Sequence, residues 1–488
     1  MKIARPVVKT TKIVLAPDKK RTILRPFLPR EASKIKNIIS RVMSLSPARS
    51  ERHLAQLLKE FSRRHDDIKS VLEEHYEMVS LYLPADPKLS EEIRLLIGCY
   101  FTSEYTFESV ALFNPSIVLH PDQSGLPEGS VRFVMSLRAT GEGHVSSLTF
   151  RTGVIDSQGS IFIDGHGEYA ITAKQIKNTI YDKKSFAMKL SEIGLKNNFS
   201  LNVMNQMKDS FTFLELSNCV KNTGLATQDA QLQGDTFTSD KIMWLALSNY
   251  ETEFPSGRSM SDFVIFPNSP AEQNGIEDAR FVLFRDDDGS KTYYATYTAY
   301  DGRAILSQLL ETKDFYHFKM ITLNGKAVRN KGMALFPRKI NGKYVMISRQ
   351  DNENLSIMYS DDLHFWHEYS RIMEPSYDWE FVQIGNCGSP IETDKGWLVL
   401  THGVGPMRKY CIGATLLDLN DPAKVIGRLK KPLIAPTKCS GKGYVPNVVY
   451  SCGAMIHNGK LIFPYAMSDS FTTIATIDMK KLLDALLV

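Results

Sequence analysis

Hydrophobic and polar positions follow two different periods along this chain. Between residues 31 and 97 apolar side chains recur every three or four positions, as at Ile35, Ile38 and Val42, which predicts helices. From Ser109 onward, short apolar or alternating runs are separated by turn residues, which is typical of β-strands. The pattern therefore predicts a helix-rich N-terminal extension over residues 1–100 and a β domain over residues 101–488.

Tight turns recur at a regular interval in the second half of the chain. Their glycines are 53, 54 and 63 residues apart, in the pairs Asp288-Gly289, Asn341-Gly342, Lys395-Gly396 and Asn458-Gly459. A period near 50 with hairpin turns is typical of the blades of a β-propeller. With the strands before Gly275 included, the sequence predicts an all-β, five-bladed β-propeller, in which residues 170–232 are an insertion or a distorted blade.

Two segments outside these repeats lead to local predictions. Strands are expected to resume over Lys241–Leu247, directly after the mixed region. At the end of the chain, Met479, Leu482 and Leu486 follow a helical spacing, and Asp478 stands where an N-cap residue is expected. The fold class therefore includes a short C-terminal helix.

Composition and charge indicate an ordinary globular protein. The chain has 488 residues, of which 43% are hydrophobic and 23% charged, and its formal net charge of +5 is too small to indicate nucleic-acid binding. Basic residues are frequent in the first 30 positions, where a solvated tail or a docking arm is expected. No signal peptide and no apolar stretch of about 18 residues is found, so we expect no membrane contact.

The cysteines indicate a reducing compartment. Six are scattered along the chain without a CxxC pair, at Cys99, Cys219, Cys387, Cys411, Cys439 and Cys452. In a large chain without a signal peptide, such cysteines are usually reduced. We therefore expect a cytoplasmic protein with free thiols.

One acidic motif stands next to an aromatic strand. Gly275-Ile-Glu-Asp-Ala-Arg280 places Glu277 and Asp278 beside Arg280, ahead of the tyrosine-rich segment 292–300. An acid in such a place can hold or donate a proton if burial raises its pKa. The alternative is that Asp278 only caps a turn and Arg280 neutralises it.

Basic residues follow the next strands. Lys331 and Arg349 flank one hairpin, where two cations could bind an anion such as phosphate or could simply lie on the surface. His402 follows an apolar strand and could equally be a structural residue. The chain has no HExxH pair, no phosphate-binding loop and no GxSxG motif, so we expect no metal and no organic cofactor.

Taken in order, these and other short motifs resemble glycoside hydrolase family 130. The resemblance covers about residues 109–477 and is specific as an ordered set. Its motifs are Phe113-Asn-Pro115, Ser136-Leu-Arg138, Gly275-Ile-Glu-Asp-Ala-Arg280, Tyr297-Thr-Ala-Tyr300, Ala334-Leu-Phe-Pro337, Ser360-Asp-Asp362 with Trp366, Gly388-Ser-Pro-Ile391, His402-Gly403, Leu416-Leu-Asp-Leu419 and Asp469. Most members are β-mannoside phosphorylases, and the helical N-terminus is similar to that of the longer β-1,2-mannobiose phosphorylases.

The resemblance implies a role for each of ten residues. Asp278 matches the general acid, which acts through a sugar hydroxyl while inorganic phosphate attacks the anomeric carbon from the opposite face, with inversion. Lys331, Arg349, His402 and Tyr410 match phosphate contacts. Asn114, Arg138, Glu277, Arg280 and Asp469 match substrate-binding positions. The implied partners are a β-mannoside and phosphate, the latter as a co-substrate.

Two other functions stay open on the sequence. An inverting β-1,2-mannosidase would need a second carboxylate as its base, for which Glu142, Glu277 and Glu380 are candidates. A non-catalytic carbohydrate-binding propeller would use the same polar and aromatic residues without turnover. The N-terminal helices carry an apolar stripe that must be buried, so we expect them to cover the propeller or to form a homo-oligomer.

Overall fold

Where the structure describes them, the first 106 residues form helices and three strands. The structure, a computed structural model, describes residues 6–84, 88–226, 232–436 and 443–487. Its first elements are β1 (Lys9–Leu15), β2 (Thr22–Pro26), α1 (Ala32–Met43), α2 (Pro47–Phe61), α3 (Ile68–Val79), α4 (Glu91–Tyr100) and β3 (Thr102–Thr106). The predicted helices are therefore present, and the part of the basic segment that the structure describes contains the strands β1 and β2. Cys439 lies outside the described residues.

The apolar faces of these helices are buried against one another. Ile35 and Ile39 of α1 pack with Val79, Leu96 and Ile97 in one core cluster, so α4 provides the partner that the apolar stripe requires. Strand β2 pairs with β3, which ties this region to the start of the β structure. Strand β1 pairs antiparallel with the last strand of the chain, with Lys9 opposite Thr476.

The next part of the chain is an antiparallel sheet followed by a helical insertion. The strands of the sheet are β4 (Ala111–Leu119), β5 (Val131–Thr140), β6 (Ser146–Ile155) and β7 (Ile161–Ile163). After it come β8 (Ile171–Thr172), β9 (Lys174–Gln175), β10 (Ile180–Asp182), α5 (Lys183–Glu192), α6 (Asn198–Gln206), β11 (Ser210–Thr212), α7 (Phe213–Ala226), α8 (Leu232–Leu247), β12 (Tyr250–Glu253) and β13 (Phe263–Ile265).

The expectation of a strand over Lys241–Leu247 was wrong, because this segment is the second half of α8. Ile242, Leu245 and Ala246 are buried together in the core of the insertion, at a helical spacing. A short apolar run fits either a buried strand or a buried helix, and only the packing partners distinguish the two. The chain is thus mostly β, with helices in the insertion as well as at both ends.

The remaining strands form four antiparallel units in chain order. The first has β14 (Gly275–Arg285), β15 (Lys291–Tyr300), β16 (Ile305–Thr312) and β17 (His317–Thr322); the second has β18 (Ala334–Leu335), β19 (Tyr344–Ser348), β20 (Leu355–Ser360) and β21 (Ser370–Met373). The third has β22 (Gln383–Asn386), β23 (Ile391–Thr393), β24 (Gly396–Val404), β25 (Tyr410–Leu417) and β26 (Val425–Arg428). The last has β27 (Val449–Tyr450), β28 (Met455–His457), β29 (Lys460–Met467) and β30 (Phe471–Asp478), followed by α9 (Met479–Leu486).

Pairing between these units is limited. The last three form separate sheets of four or five strands, and β1 completes the last of them. The sheet of β4–β7 and the first of these four units share one larger sheet, in which the parallel pair Gly275 and Ser146 joins β14 to β6. The predicted turns lie between the expected strands; for example, Gly459 adopts a φ of 69° between β28 and β29, in the region that favours glycine.

The C-terminal helix is confirmed together with its cap. The side chain of Asp478 accepts a hydrogen bond from the backbone N–H of Lys481 at 3.0 Å. Leu482 is completely buried against the last two sheets. Among the residues that the structure describes, no helix combines the length and apolar character needed to cross a membrane.

Candidate active site

Two β-bulges place an amide and a carboxylate side by side. The pairing of β4 with β5 shifts between Phe113 and Ser116, and that of β14 with β15 shifts between Glu277 and Arg280. At these bulges Asn114 and Asp278 have φ values of 49° and 54°, which are uncommon for residues other than glycine. Bulges re-aim side chains, and here Nδ2 of Asn114 donates to Oδ1 of Asp278 at 2.7 Å.

Arg138 connects both carboxylates of the acidic motif. Its Nη1 donates to Oδ1 of Asp278 at 3.3 Å, and its Nη2 donates to Oε1 of Glu277 at 2.7 Å. Its Nε donates to Oγ of Ser146, on the neighbouring strand, at 2.8 Å. The planar guanidinium therefore fixes Asp278 and Glu277 relative to the sheet. The idea that Asp278 only caps a turn next to Arg280 is wrong, because its carboxylate is bound by side chains from other strands.

The pKa values of two aspartates in this site, the buried Asp278 and the half-buried Asp469, are shifted in opposite directions. Burial alone would raise the pKa of Asp278, but the charges of Arg138 and Lys331 outweigh it and hold this pKa well below its usual range. For Asp469, burial and the nearby charge of Asp278 raise the pKa to about 6, against the opposing effect of Arg138. Asp469 has a left-handed φ of 47° in the turn between β29 and β30. The site thus pairs a firmly ionised carboxylate with one that titrates near neutrality.

The predicted cations adjoin this acidic group. Nζ of Lys331 lies 3.8 Å from Oε2 of Glu277. The backbone carbonyl of Lys331 accepts a hydrogen bond from Nε of Arg349 at 3.2 Å. Arg349 is only 5% exposed, so it is not a surface cation, whereas a third of the Lys331 side chain is accessible. Residues that flank the hairpin of β18 and β19 therefore meet the N-terminal end of β14.

His402 is completely buried and accepts a hydrogen bond from an arginine. Nη1 of Arg349 lies 3.2 Å from its Nε2, which requires a lone pair on that nitrogen. Burial, reinforced by the charges of Arg349 and Arg280, holds the pKa of His402 well below its usual range, so the ring is neutral. The ring of Tyr410 stacks nearly parallel to the imidazole, with centroids 6.1 Å apart.

Tyr450 belongs to the site, although no sequence motif points to it. Nη2 of Arg280 donates to the hydroxyl of Tyr450 at 2.8 Å, and Nη1 of Arg280 donates to the carbonyl of Asp278 at 3.3 Å. The ring of Tyr450 lies 5.0 Å from that of His402. Arg280 and Tyr450 therefore connect the acidic group to the histidine. The available signal was weak, because an aromatic residue at a strand end is common in any sheet.

The structure thus brings the ten predicted residues into one neighbourhood, with direct contacts for nine and an electrostatic influence for Asp469.

The three candidate bases have different surroundings. Glu380 accepts hydrogen bonds from Arg428 and from the backbone N–H of Ser376. Glu277 is held by two cations, and Glu142 lies exposed on the turn after β5.

The chain is similar in sequence to known mannoside phosphorylases. The profile of glycoside hydrolase family 130, described as beta-1,4-mannooligosaccharide phosphorylase, matches residues 257–487, which include Asp278 but not Asn114 or Arg138. A 1,2-beta-oligomannan phosphorylase from a Thermoanaerobacter species is 37% identical over 219 residues, which are 43% of this chain and 71% of that protein. A beta-1,2-mannobiose phosphorylase from Listeria innocua is 34% identical over 44% of this chain and 61% of its own length.

A solved structure was also found among the similar proteins. The beta-1,2-mannobiose phosphorylase of Listeria innocua, in complex with beta-1,2-mannobiose, is 22% identical over 77% of this chain and 92% of its own, with a TM-score of 0.45. The sequence identity to the Thermoanaerobacter protein, over more than two thirds of that protein, is the decisive finding. On this ground the chain belongs to glycoside hydrolase family 130.

Proposed function

We propose that the protein catalyses the inverting phosphorolysis of β-1,2-linked mannosides, with inorganic phosphate as co-substrate and α-mannose 1-phosphate as product. The observation that supports it most directly is that the basic residues adjoin the acidic motif. Nζ of Lys331 lies 3.8 Å from Oε2 of Glu277. Phosphorolysis requires a proton donor and an anion site on the two sides of one anomeric carbon. The relatives named above are phosphorylases of such mannosides.

The electrostatics of the site suggest how Asp278 becomes an acid. In the free protein its pKa is held low, chiefly by Arg138 and Lys331, so it carries no proton at neutral pH. Phosphate bound at Lys331 and Arg349 would offset their positive charge, and its own negative charge would disfavour ionisation of Asp278. Binding of the co-substrate would thereby raise the pKa of Asp278 and prepare it to donate a proton.

The proposed reaction then transfers the mannosyl group from the bridging oxygen to phosphate. A phosphate oxygen forms a bond to the anomeric carbon while the bond from that carbon to the bridging oxygen breaks. The proton of Asp278 reaches the bridging oxygen through a sugar hydroxyl. Arg349 stabilises the phosphate charge, and the neutral His402 holds Arg349 in place by accepting its hydrogen bond. This scheme needs no metal and no organic cofactor.

The finer description of the fold is part of the same proposal. We place the five antiparallel units, namely the one that begins with β4 and the four that begin with β14, β18, β22 and β27, as five blades around a common axis. The support is that the site residues stand at the ends or bulges of strands from all five units. We also retain a cytoplasmic location, which agrees with the free thiols at Cys99, Cys219, Cys387, Cys411 and Cys452.

Incubation with β-1,2-mannobiose, with and without inorganic phosphate, tests the function directly. Phosphate-dependent formation of mannose 1-phosphate is expected, and two mannoses per disaccharide without phosphate would indicate a hydrolase instead. Asp278→Asn should lower kcat by roughly 10²–10⁴-fold and retain binding of the disaccharide. Asp287→Asn, on the exposed turn after the same strand, is the matched control and should retain wild-type activity. Unchanged turnover in Asp278→Asn would contradict the assigned acid.

A further inference from the structure

Two exposed aromatic rings stack on each other beside the active site. The ring centroids of His144 and Tyr444 are 5.3 Å apart with an angle of 24° between the planes. The hydroxyl of Tyr444 lies 3.0 Å from Nδ1 of His144, which joins two segments 300 residues apart in sequence. Tyr444 is 47% exposed and His144 is exposed as well. Two rings held together at the surface offer a flat apolar face to a ligand, and what distinguishes this pair is its place beside the site residues.

Both halves of this pair are attached to residues of the candidate site. His144 lies on the turn between β5 and β6, two residues before Ser146, whose Oγ accepts a hydrogen bond from Arg138 at 2.8 Å. The backbone N–H of Tyr444 donates to Oγ of Ser470 at 2.9 Å, next to Asp469. The stack therefore spans the gap between the turn that follows Arg138 and the turn that carries Asp469.

The turn that carries His144 is held in a defined shape. The hydroxyl of Tyr105 donates to the carbonyl of Glu142 at 2.8 Å. A Cβ atom at Gly141 would lie 2.3 Å from the carbonyl oxygen of Thr106, so only glycine permits this close approach. His144 itself adopts a left-handed φ of 60°. Such a backbone conformation persists only where the surroundings enforce it, and the hydrogen bond to Tyr444 then orients the imidazole.

Chemistry and position together define what this surface would bind. One face of a pyranose ring is covered by C–H groups, which pack favourably against the electron-rich face of an aromatic ring. The charged groups at Asp278, Arg138 and Asp469 are suited to the sugar that reacts. The stack adjoins these groups through Ser146 and Ser470, which makes it a surface that the next sugar of an oligosaccharide could reach.

We propose that the stacked pair of His144 and Tyr444 is the contact surface for the second sugar of the substrate, the one released by phosphorolysis. In this arrangement the pair selects the accepted sugar and the orientation of its ring, while Asp278 and the cations perform the reaction. This inference rests on the proposed function and adds to it two residues that determine specificity.

The kinetics of both reaction directions test this assignment. His144→Ala and Tyr444→Ala should raise the KM for mannose as acceptor by about two- to tenfold, the range expected for loss of one aromatic contact. The KM values for mannose 1-phosphate and for phosphate should stay within about twofold of wild type. Tyr444→Phe retains the ring and should retain most of the acceptor affinity. Phe162→Ala removes an aromatic ring that is 59% exposed on the outside of the same unit, and serves as the control.

The outcomes separate this inference from the proposed function. Unchanged acceptor KM in both alanine variants would overturn it, as would an equal rise in the KM for phosphate, since that would indicate a general disturbance of the site. Calorimetric titration with β-1,2-mannobiose gives a second readout that needs no turnover. If the wild type lacks phosphorolysis, the proposed reaction fails; a weaker binding of the disaccharide by the variants would still support the stack as a sugar contact, and equal binding would overturn it.

Discussion

Replacement of Asp469 by asparagine should change how stability depends on pH. Burial and the neighbouring Asp278 raise the pKa of Asp469 to about 6, whereas an aspartate in an unfolded chain titrates near 3.9. The folded chain therefore binds the proton more tightly, and ionisation of this group destabilises it. The difference between the folded and unfolded pKa values corresponds to a destabilisation of about 3 kcal/mol. This destabilisation is absent below about pH 4 and is complete once the pH has risen through about 6.

The free energy of unfolding in urea, followed by tryptophan fluorescence between pH 4 and pH 7.5, measures this effect. Asparagine keeps the shape of the side chain and cannot ionise, so the variant should gain up to about 3 kcal/mol on the wild type across this interval. Contributions of the other titrating groups are common to both proteins and cancel in the difference. Asp394→Asn, on an exposed turn, should show a difference that is nearly constant with pH. A constant difference for Asp469→Asn, or a gain at low pH, would refute the reasoning.

Two further variants address the anion site and the core. Arg349→Gln should raise the KM for phosphate by about 10–100-fold, because a charged hydrogen bond is lost, while the dissociation constant for β-1,2-mannobiose stays near wild type; an equal loss of disaccharide affinity would contradict the assignment. Leu482→Ala should cost about 2–5 kcal/mol in urea unfolding, because this side chain is completely buried. Leu487→Ala, at a position that is 48% exposed, should change stability by less than about 0.5 kcal/mol.

Features that depend on neighbouring residues could be predicted from the sequence. The spacing of Ile35, Ile38 and Val42 indicated α1 because a helix places such residues on one face. The cap at Asp478 was predicted because a capping side chain bonds an amide only three positions away. Short apolar runs were ambiguous, and the error at Lys241–Leu247 arose because burial within the insertion, not local periodicity, selected the helix.

The candidate site shows what the sequence could predict and what it could not. Its ten residues were named from ordered motifs, yet nothing in the sequence shows that Arg280 reaches Tyr450, since these residues are 170 positions apart. The stacked pair at His144 and Tyr444 was likewise invisible, because each is an ordinary polar or aromatic residue on its own turn. Contacts of this kind depend on how the sheets are arranged, and not on local propensity.

The sequence by itself determined the helices at both ends, the hairpin turns and the types of side chain available for chemistry, because these follow from interactions over a few residues. Only the tertiary structure decided the protonation of the site. Asn114 and Asp278 are 164 residues apart, and their hydrogen bond requires two bulges in different antiparallel units to face each other. The opposite pKa changes of Asp278 and Asp469 arise from burial and from Arg138, and both exist only after the chain has folded.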